Sequence, residues 1–472
     1  MGRIVIAVLG GLFLLSIRPS LAQEIHGRVE IQDVFASETA RSLSALLDER
    51  NRNDLLGDFR LTWEPKWDHW SFAVAYQMNV DSGDTPALTA YRAALGVFTV
   101  SSLERLQNFN DIFVNDADLT ATQRFDRLWL SYNDNHMIDS AARDVLTAYS
   151  DAIGLFPVPP PSTWLNLSDT FINDAHLTAT QRLDRLWLGY SDDHLVLRIG
   201  RQALTWGSGL VFRPMDLFDP FAPNATDTEY KSGTDMVYGQ WLFDDGSDLQ
   251  FIAVPRPARA GGALTSNASS FALHLHTVIG GMQTTWILAR DHGDWVAGAG
   301  INGELGQATW NAEIIPTFVH DGPVLTSGIV NISDATTLFG RDVTLFAEYY
   351  RNGFGLAARH YALIDLPAPL RDRLARSQVF DTGRDYLAAG AQLQWTPLFQ
   401  INPALIANLD DGGLYGVVQG IYSLRENLSL IVGSQIPIAP SGTEFGGLPL
   451  IQNIPIFVEQ PKLIYVQLRQ YF

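Results

Sequence analysis

FRLTWE at 59–64 and WSFAVAYQ at 70–77 flank a turn built on Lys66-Trp67-Asp68-His69. In the first segment Phe59, Leu61 and Trp63 alternate with Arg60, Thr62 and Glu64. In the second, Trp70, Phe72, Val74 and Tyr76 alternate with Ser71, Ala73, Ala75 and Gln77. Side chains on a strand point to opposite faces with a period of two, so each segment predicts a strand with one apolar and one polar face. An apolar face rich in aromatics, opposite a polar one, is the pattern of a strand with lipid on one side and water on the other.

The same alternation recurs along the chain. Phe271, Leu273 and Leu275 alternate with Ala272, His274 and His276; Ala308, Trp310, Ala312 and Ile314 with Gln307, Thr309, Asn311 and Glu313. Leu387, Ala389, Ala391, Leu393 and Trp395 alternate with Ala388, Gly390, Gln392, Gln394 and Thr396. Read throughout, the pattern predicts 18 strands, at 28–35, 58–65, 70–79, 183–191, 194–203, 234–244, 248–256, 270–278, 282–290, 295–302, 307–317, 323–332, 341–351, 386–397, 400–409, 413–422, 427–436 and 461–472. The connections fall into two alternating sets. One holds short turns such as 66–69, 192–193 and 398–399; the other holds the long segments 36–57, 80–182, 204–233, 352–385 and 437–460. An even strand count with short turns on one rim and long loops on the other predicts an all-β, single antiparallel transmembrane barrel, within a range of 16–20 strands.

Composition supports this and excludes other classes. The 472 residues would ordinarily suggest two or three domains. Only 18% are charged, while 12 Trp and 25 Phe stand among them. A soluble β-sandwich also alternates, but its outer face would demand far more charge. The net charge of −19 argues against nucleic acid as a partner. With no cysteine, disulfides, thiolate nucleophiles and Cys-ligated metals are excluded. Beyond residue 20 no apolar run is long enough for a helical span.

Residues 1–22 read as a signal peptide: Arg3, an apolar stretch from Ile4 to Ile17, then Ser20-Leu21-Ala22 as a cleavage site. The alternative is an N-terminal membrane anchor. The domain division is therefore 1–22 as leader and 23–472 as barrel, placing the protein in the outer membrane. The chain ends KLIYVQLRQYF, and Leu468, Val466 and Ile464 share a face. A terminal strand closed by Phe472 resembles those read by the barrel-assembly machinery, the expected partner besides outer-membrane lipid and lipopolysaccharide.

A duplication interrupts the pattern. FNDIFVNDADLTATQRFDRLWLSYNDNHM (109–137) returns as LSDTFINDAHLTATQRLDRLWLGYSDDHL (167–195), with 19 of 29 positions identical. An extra spanning strand would make the barrel odd. The second copy, at 182–191, leads straight into the next strand and is placed in the wall. The first, at 124–133, is placed outside it, in a long loop or luminal plug spanning 80–181. Alternatively 149–156 pairs with the first copy as an extra hairpin, giving 20 strands. Asp116 and Asp118 form a lone D-x-D, with His176 in the second copy opposite Asp118; such a pair is ordinarily solvated, and no metal is assigned.

Gly200-Arg201-Gln202 with Trp206-Gly207, and Glu348-Tyr349-Tyr350-Arg351-Asn352-Gly353-Phe354-Gly355, resemble signatures of the alginate-export and related porin-like outer-membrane barrels of Gram-negative bacteria. The resemblance implies an 18-stranded barrel and a passage for polymers or small solutes; the duplication departs from that pattern. Physically, Gly200 admits a bulky neighbour, while Arg201 and Gln202 can tie down the following loop or contact a solute.

The polar faces nominate Arg60, Glu64, Arg185, Arg198, Gln202, His274, His276, Glu313, Glu348, Gln392 and Gln394 as lumen-facing. Both charge signs appear, so no single ion sign is implied. There is no HExxH, GxSxG or P-loop motif, and no cofactor is assigned. Ser270 with His274 or His276 is the one arrangement that could imitate a lipid-acting enzyme, and it lacks a placed acid. The expectation is a non-enzymatic channel, its rival a closed structural or surface-interaction barrel with a plugged lumen.

Overall fold

The computed structural model describes residues 25–42, 51–84, 163–174, 176–258, 261–449 and 457–472. Its wall consists of β1 Ile25–Ser37, β2 Asn51–Trp63, β3 Trp70–Gly83, β4 Leu177–Ser191, β5 Leu195–Gln202, β6 Thr234–Leu242, β7 Asp248–Val254, β8 Ser270–Ile279, β9 Met282–Asp291, β10 Asp294–Leu305, β11 Ala308–Phe318, β12 Val324–Leu338, β13 Arg341–Arg351, β14 Asp385–Thr396, β15 Phe399–Asn408, β16 Leu414–Arg425, β17 Leu428–Ile438 and β18 Lys462–Tyr471. Each strand pairs antiparallel with the next. β18 returns to β1, with Ser37 opposite Lys462 and Arg28 opposite Tyr471. Gly27 and Phe472 exchange backbone hydrogen bonds of 3.0 and 3.1 Å at the end of this seam. Closure leaves the wall no unpaired strand within the bilayer.

The outward face is apolar. Ile314, Val330, Val418 and Val466 are exposed along its middle. Trp70, Trp241, Trp395 and Tyr422 are exposed near the short-turn rim, and Phe271, Trp295, Phe318 and Tyr349 near the other. An apolar band between two aromatic girdles is the exterior of an outer-membrane barrel, whose short turns face the periplasm and long loops the outside.

All 18 expected strands are present, but several reach further than expected. β2 starts at Asn51 rather than 58, and β4 at Leu177 rather than 183. NRNDLLG and LTATQR hold too few lipid-compatible side chains to read as spanning strands; they extend the wall above the apolar band. β4 also contains a bulge: Ala75 lies opposite Arg185 and Tyr76 opposite Leu183, leaving Asp184 as the extra residue. Arg182, Asp184 and Arg185 consequently all turn inward, which strict alternation forbids.

The segment expected as one long loop, 80–182, contains a further short strand, Ser168–Asp174, that pairs with the upper part of β4. β3 pairs directly with β4, so the ring is complete without any strand from 85–162, and the count is 18 rather than 20. The first copy at 124–133, the 149–156 segment, Asp116, Asp118 and the leader lie outside the described residues. On the long-loop rim, α1 (Ala368–Ala375) sends Arg373 to Asp291 and Asp294, at 3.1 and 2.8 Å.

Candidate functional site

Residues 203–233 leave the top of β5, turn into the barrel and travel round its inner wall before rejoining at β6. The segment is rich in Gly and Pro (WGSGLVFRPMDLFDPFAPN, 206–224), so it forms no regular element. Two kinds of wall hold it.

The inner faces of β6 to β11 are apolar, presenting Met236, Tyr238, Ile252, Ala272, Ile287 and Ile315. Trp206, Met215 and Phe218 bury themselves against this surface. Trp206 stacks on His274 with ring centroids 4.8 Å apart and donates to Gln250 at 2.9 Å. Further round, two wall acids hold the backbone. Glu313 accepts from the Ser208 amide and, at 2.7 Å, from its hydroxyl. Glu348 accepts the amides of Leu210, Val211 and Phe212 at 2.6, 3.0 and 2.7 Å, and Asn331 at 2.9 Å. Phe212 then stacks on Tyr350 at 4.5 Å. Gly207 has φ +89°, and a Cβ there would sit 3.2 Å from the Glu313 carboxylate, so a side chain would disturb that capture.

The returning half meets charge instead. Gln435 donates to the Asn224 carbonyl at 2.8 Å. Asp227 and Glu229 bond Arg28 at 2.6 and 3.1 Å, and Glu229 also receives Arg469 and the Tyr471 hydroxyl. These contacts bridge β1 and β18 at the seam. Burial alone would raise the Asp227 carboxyl, but Arg28 outweighs it and holds it below its ordinary value. Tyr230 lies beneath the guanidinium groups of Arg28 and Arg60, at 4.9 and 4.2 Å. Lys231 bonds both oxygens of Asp216 at 2.7 Å, joining the loop's two halves. Burial pushes the Asp216 carboxyl up to about 6 and lowers Lys231.

Several residues nominated as lumen-facing therefore lie beneath this loop. Glu348 and Glu313 are buried as its anchors, Arg60 is paired with Asp184, and His274 is covered by Trp206. They point inward, as alternation requires, but the loop takes the space a solute would need to touch them. Arg201 is buried in a two-bond pair with Asp235 (2.8 and 3.1 Å) and donates to the carbonyls of Leu183 and Leu165. It ties β4, β5, β6 and the incoming 163–167 segment together. Gly200 has φ +126°, and a Cβ would come 2.1 Å from the Leu186 carbonyl oxygen, so only glycine fits.

Other nominees remain open to the lumen. A cavity of about 310 Å³ near the short-turn rim is lined by Glu64, Arg185, Trp187, Arg198 and Gln202. Arg198 is exposed, with its guanidinium 4.8 Å above the Trp187 ring. Arg185 donates to the Lys231 carbonyl at 2.7 Å and so also braces the loop. Gln202 is the exception in this lining: the residue is buried at the cavity's edge, and its amide nitrogen has no partner among the described residues. His276 stands 3.5 Å from Asp248, and Gln392 and Gln394 face inward on β14. Ser270 does not meet either histidine: its hydroxyl donates to Asp291 and accepts from Arg256, each at 2.5 Å.

Sequence reading missed the seam residues Arg28, Asp227, Glu229 and Arg469. It also missed the signal for the covered wall. FIAV (251–254) and WILA (286–289) are apolar on both faces, which a strand with water on one side has no reason to be.

No protein-family model matches the sequence, and no curated protein matches it. Solved structures align over almost its whole length. OccAB4 of Acinetobacter baumannii is 8% identical with a TM-score of 0.44, covering 96% of this chain and 99% of that one. OccK7 (OpdD) of Pseudomonas aeruginosa is 9% identical at 0.44, covering 95% and 98%. A Rhodopseudomonas blastica porin triple mutant is 10% identical at 0.41, covering 95% and 99%. What the site does follows from this chain's own residues.

Proposed function

We propose that the protein is an outer-membrane channel for passive passage of a polar solute, without chemistry or a cofactor. The inward loop is the observation that carries this reading. A long segment is fixed to many wall strands, leaving exposed polar side chains such as Glu64 and Arg198 beside the cavity of about 310 Å³. A narrowed lumen lined by charge is how such pores select. The likeness to alginate exporters carries a finer expectation, a polysaccharide. Arg185 and Arg198 facing Glu64 make the cavity mixed in sign, so the reading stops at a polar solute or neutral stretch of polysaccharide. The same reading makes lipopolysaccharide the neighbour of the long-loop rim, and the strand ending at Phe472 the segment read during assembly.

Single-channel recording in planar bilayers tests it. A stable open current whose ion preference shifts when Arg198→Glu is introduced supports the channel. No current from correctly assembled barrels overturns it, and current appearing only after trimming within 85–162 identifies a plugged barrel instead.

A further inference from the structure

At the foot of β2 to β5, small inward side chains lie between two charged ones. Glu64 follows Trp63 at the end of β2, and Arg198 stands on β5. Between them β3 offers Ser71 and Ala73, and β4 offers Gly189 beside Trp187. One register line runs from Ser71 through Gly189 to Arg198. A Cβ at Gly189 would come 2.8 Å from both the Ser71 hydroxyl and the Trp187 ring, and 3.3 Å from the Arg198 stem, so glycine keeps this floor low. The hollow above it is the cavity of about 310 Å³. Glu64 and Arg198 flank it three strand spacings of about 4.8 Å apart, or roughly 15 Å at the backbone.

These two charges are presented to the lumen rather than to the protein. Arg28, Arg60 and Arg469 are bonded to carboxylates, and Arg185 gives its nitrogens to the carbonyls of Asp184 and Lys231, each at 2.7 Å. Arg198 is held by aromatic faces instead. Its guanidinium lies 4.8 Å from the Trp187 ring and 6.0 Å from that of Tyr238. Stacking uses the faces of a guanidinium and leaves the N–H donors at its edge open to a planar acceptor. Trp187 is on the β2 side of Arg198, so the stack carries the cation towards Glu64. Both charged residues are exposed.

A solute with a single charge meets attraction at one side of this cavity and repulsion at the other. An anion drawn to Arg198 faces Glu64, and a cation drawn to Glu64 faces Arg198. A molecule carrying both charges pairs with both. Resting on the channel reading above, we propose that the cavity is a selectivity subsite for small zwitterions, in the first place α-amino acids, with Arg198 binding the carboxylate and Glu64 the ammonium. The guanidinium edge donates two parallel N–H bonds to the carboxylate, and the ammonium donates to Glu64.

The test sets L-alanine against propionate and ethylammonium, which each lack one of its charges, in planar bilayers at matched ionic strength. Alanine is expected to give saturable current blockades lasting at least about tenfold longer than either. Arg198→Gln and Glu64→Gln, assembled as judged by heat-modifiable gel mobility, should each remove that advantage. Exchanging both charges, Arg198→Glu with Glu64→Arg, should recover longer alanine blockades than either reversal alone, because a zwitterion can turn round. Blockades of equal length from propionate and alanine identify an anion site and overturn the proposal. So does an alanine advantage that survives both neutral variants. Saturation-transfer NMR of L-alanine with detergent-solubilised barrels needs no current and separates this inference from the channel itself. Alanine contact that Glu64→Gln abolishes, in a barrel that does not conduct, upholds the subsite and overturns the channel. Conduction without preference for alanine overturns the subsite alone.

Discussion

The inward loop is held by two different forces in its two halves. From Trp206 to Phe218 it is buried against the apolar inner faces of β6 to β11 and tied by Glu313 and Glu348. From Asp227 to Lys231 it is bound by ion pairs to Arg28 and Arg469 at the seam. The first half depends on burial and shape, which salt hardly alters. The second depends on charge, with Asp227 and Glu229 27% and 32% exposed at the side chain, and charge at that exposure is screened. One loop is therefore insensitive to ionic strength at one end and sensitive at the other.

The largest break should come from Trp206→Ala. Losing a buried tryptophan costs about 3–5 kcal/mol, and the 203–218 half should detach. Single-channel conductance should rise and become noisier, equally at low and high salt. Glu348→Ala comes next. It removes the acceptor of three amides and Asn331; with water and a small shift of the loop meeting most of them, the expected net cost is about 1–3 kcal/mol. Glu348→Gln should fall between wild type and Ala, because its carbonyl still accepts. If Ala and Gln behave alike, the carboxylate is not the anchor.

Asp227→Asn with Glu229→Gln should loosen only the returning half. The expected cost is about 1–2 kcal/mol at low salt, shrinking as salt is raised. A thermal melt across a salt series separates this from Trp206→Ala, and a salt-independent loss would erase the contrast between the halves.

The smallest effect concerns the rim above both halves. Glu444 accepts the Thr382 amide, the Tyr386 hydroxyl and Asn408, at 2.8, 2.6 and 2.8 Å, joining its own loop to the 352–384 loop and to the upper ends of β14 and β15. Burial pushes its carboxyl up to about 7, and buried Asp381 is raised as well, by burial and by the nearby Glu444 charge. A raised acid favours the protonated folded state, so the rim should weaken as pH rises from the ordinary glutamate range through about 7 and then level off. Limited proteolysis at pH 5 and pH 8 measures this, and Glu444→Gln should flatten the difference.

Alternation at Phe59–Glu64 and Trp70–Gln77 was enough to read the wall from sequence, because lipid on one side and water on the other imposes a period of two on each spanning residue. The strand count, the two sets of connections and the inward direction of Arg60, Glu313, Glu348 and Arg198 all followed from that one constraint. Where the solvent contrast ends, the reading ended too. Asn51–Gly57, LTATQR and Ser168–Asp174 rise beyond the apolar band, and the bulge at Asp184 breaks the period where Arg60 needs a partner.

Which inward residues remain open to the lumen was decided only by the tertiary structure. Period fixes the direction of a side chain but not what stands in front of it. Glu348 and Arg198 read alike in sequence, yet one is sealed beneath residues 210–212 and the other faces water. That difference arises from contacts between Glu348 and a loop some 137 positions away, and from pairs such as Arg28 with Glu229, 201 positions apart. Nothing local to either residue encodes such distant meetings; only closing the barrel and turning its loop inward brings them together.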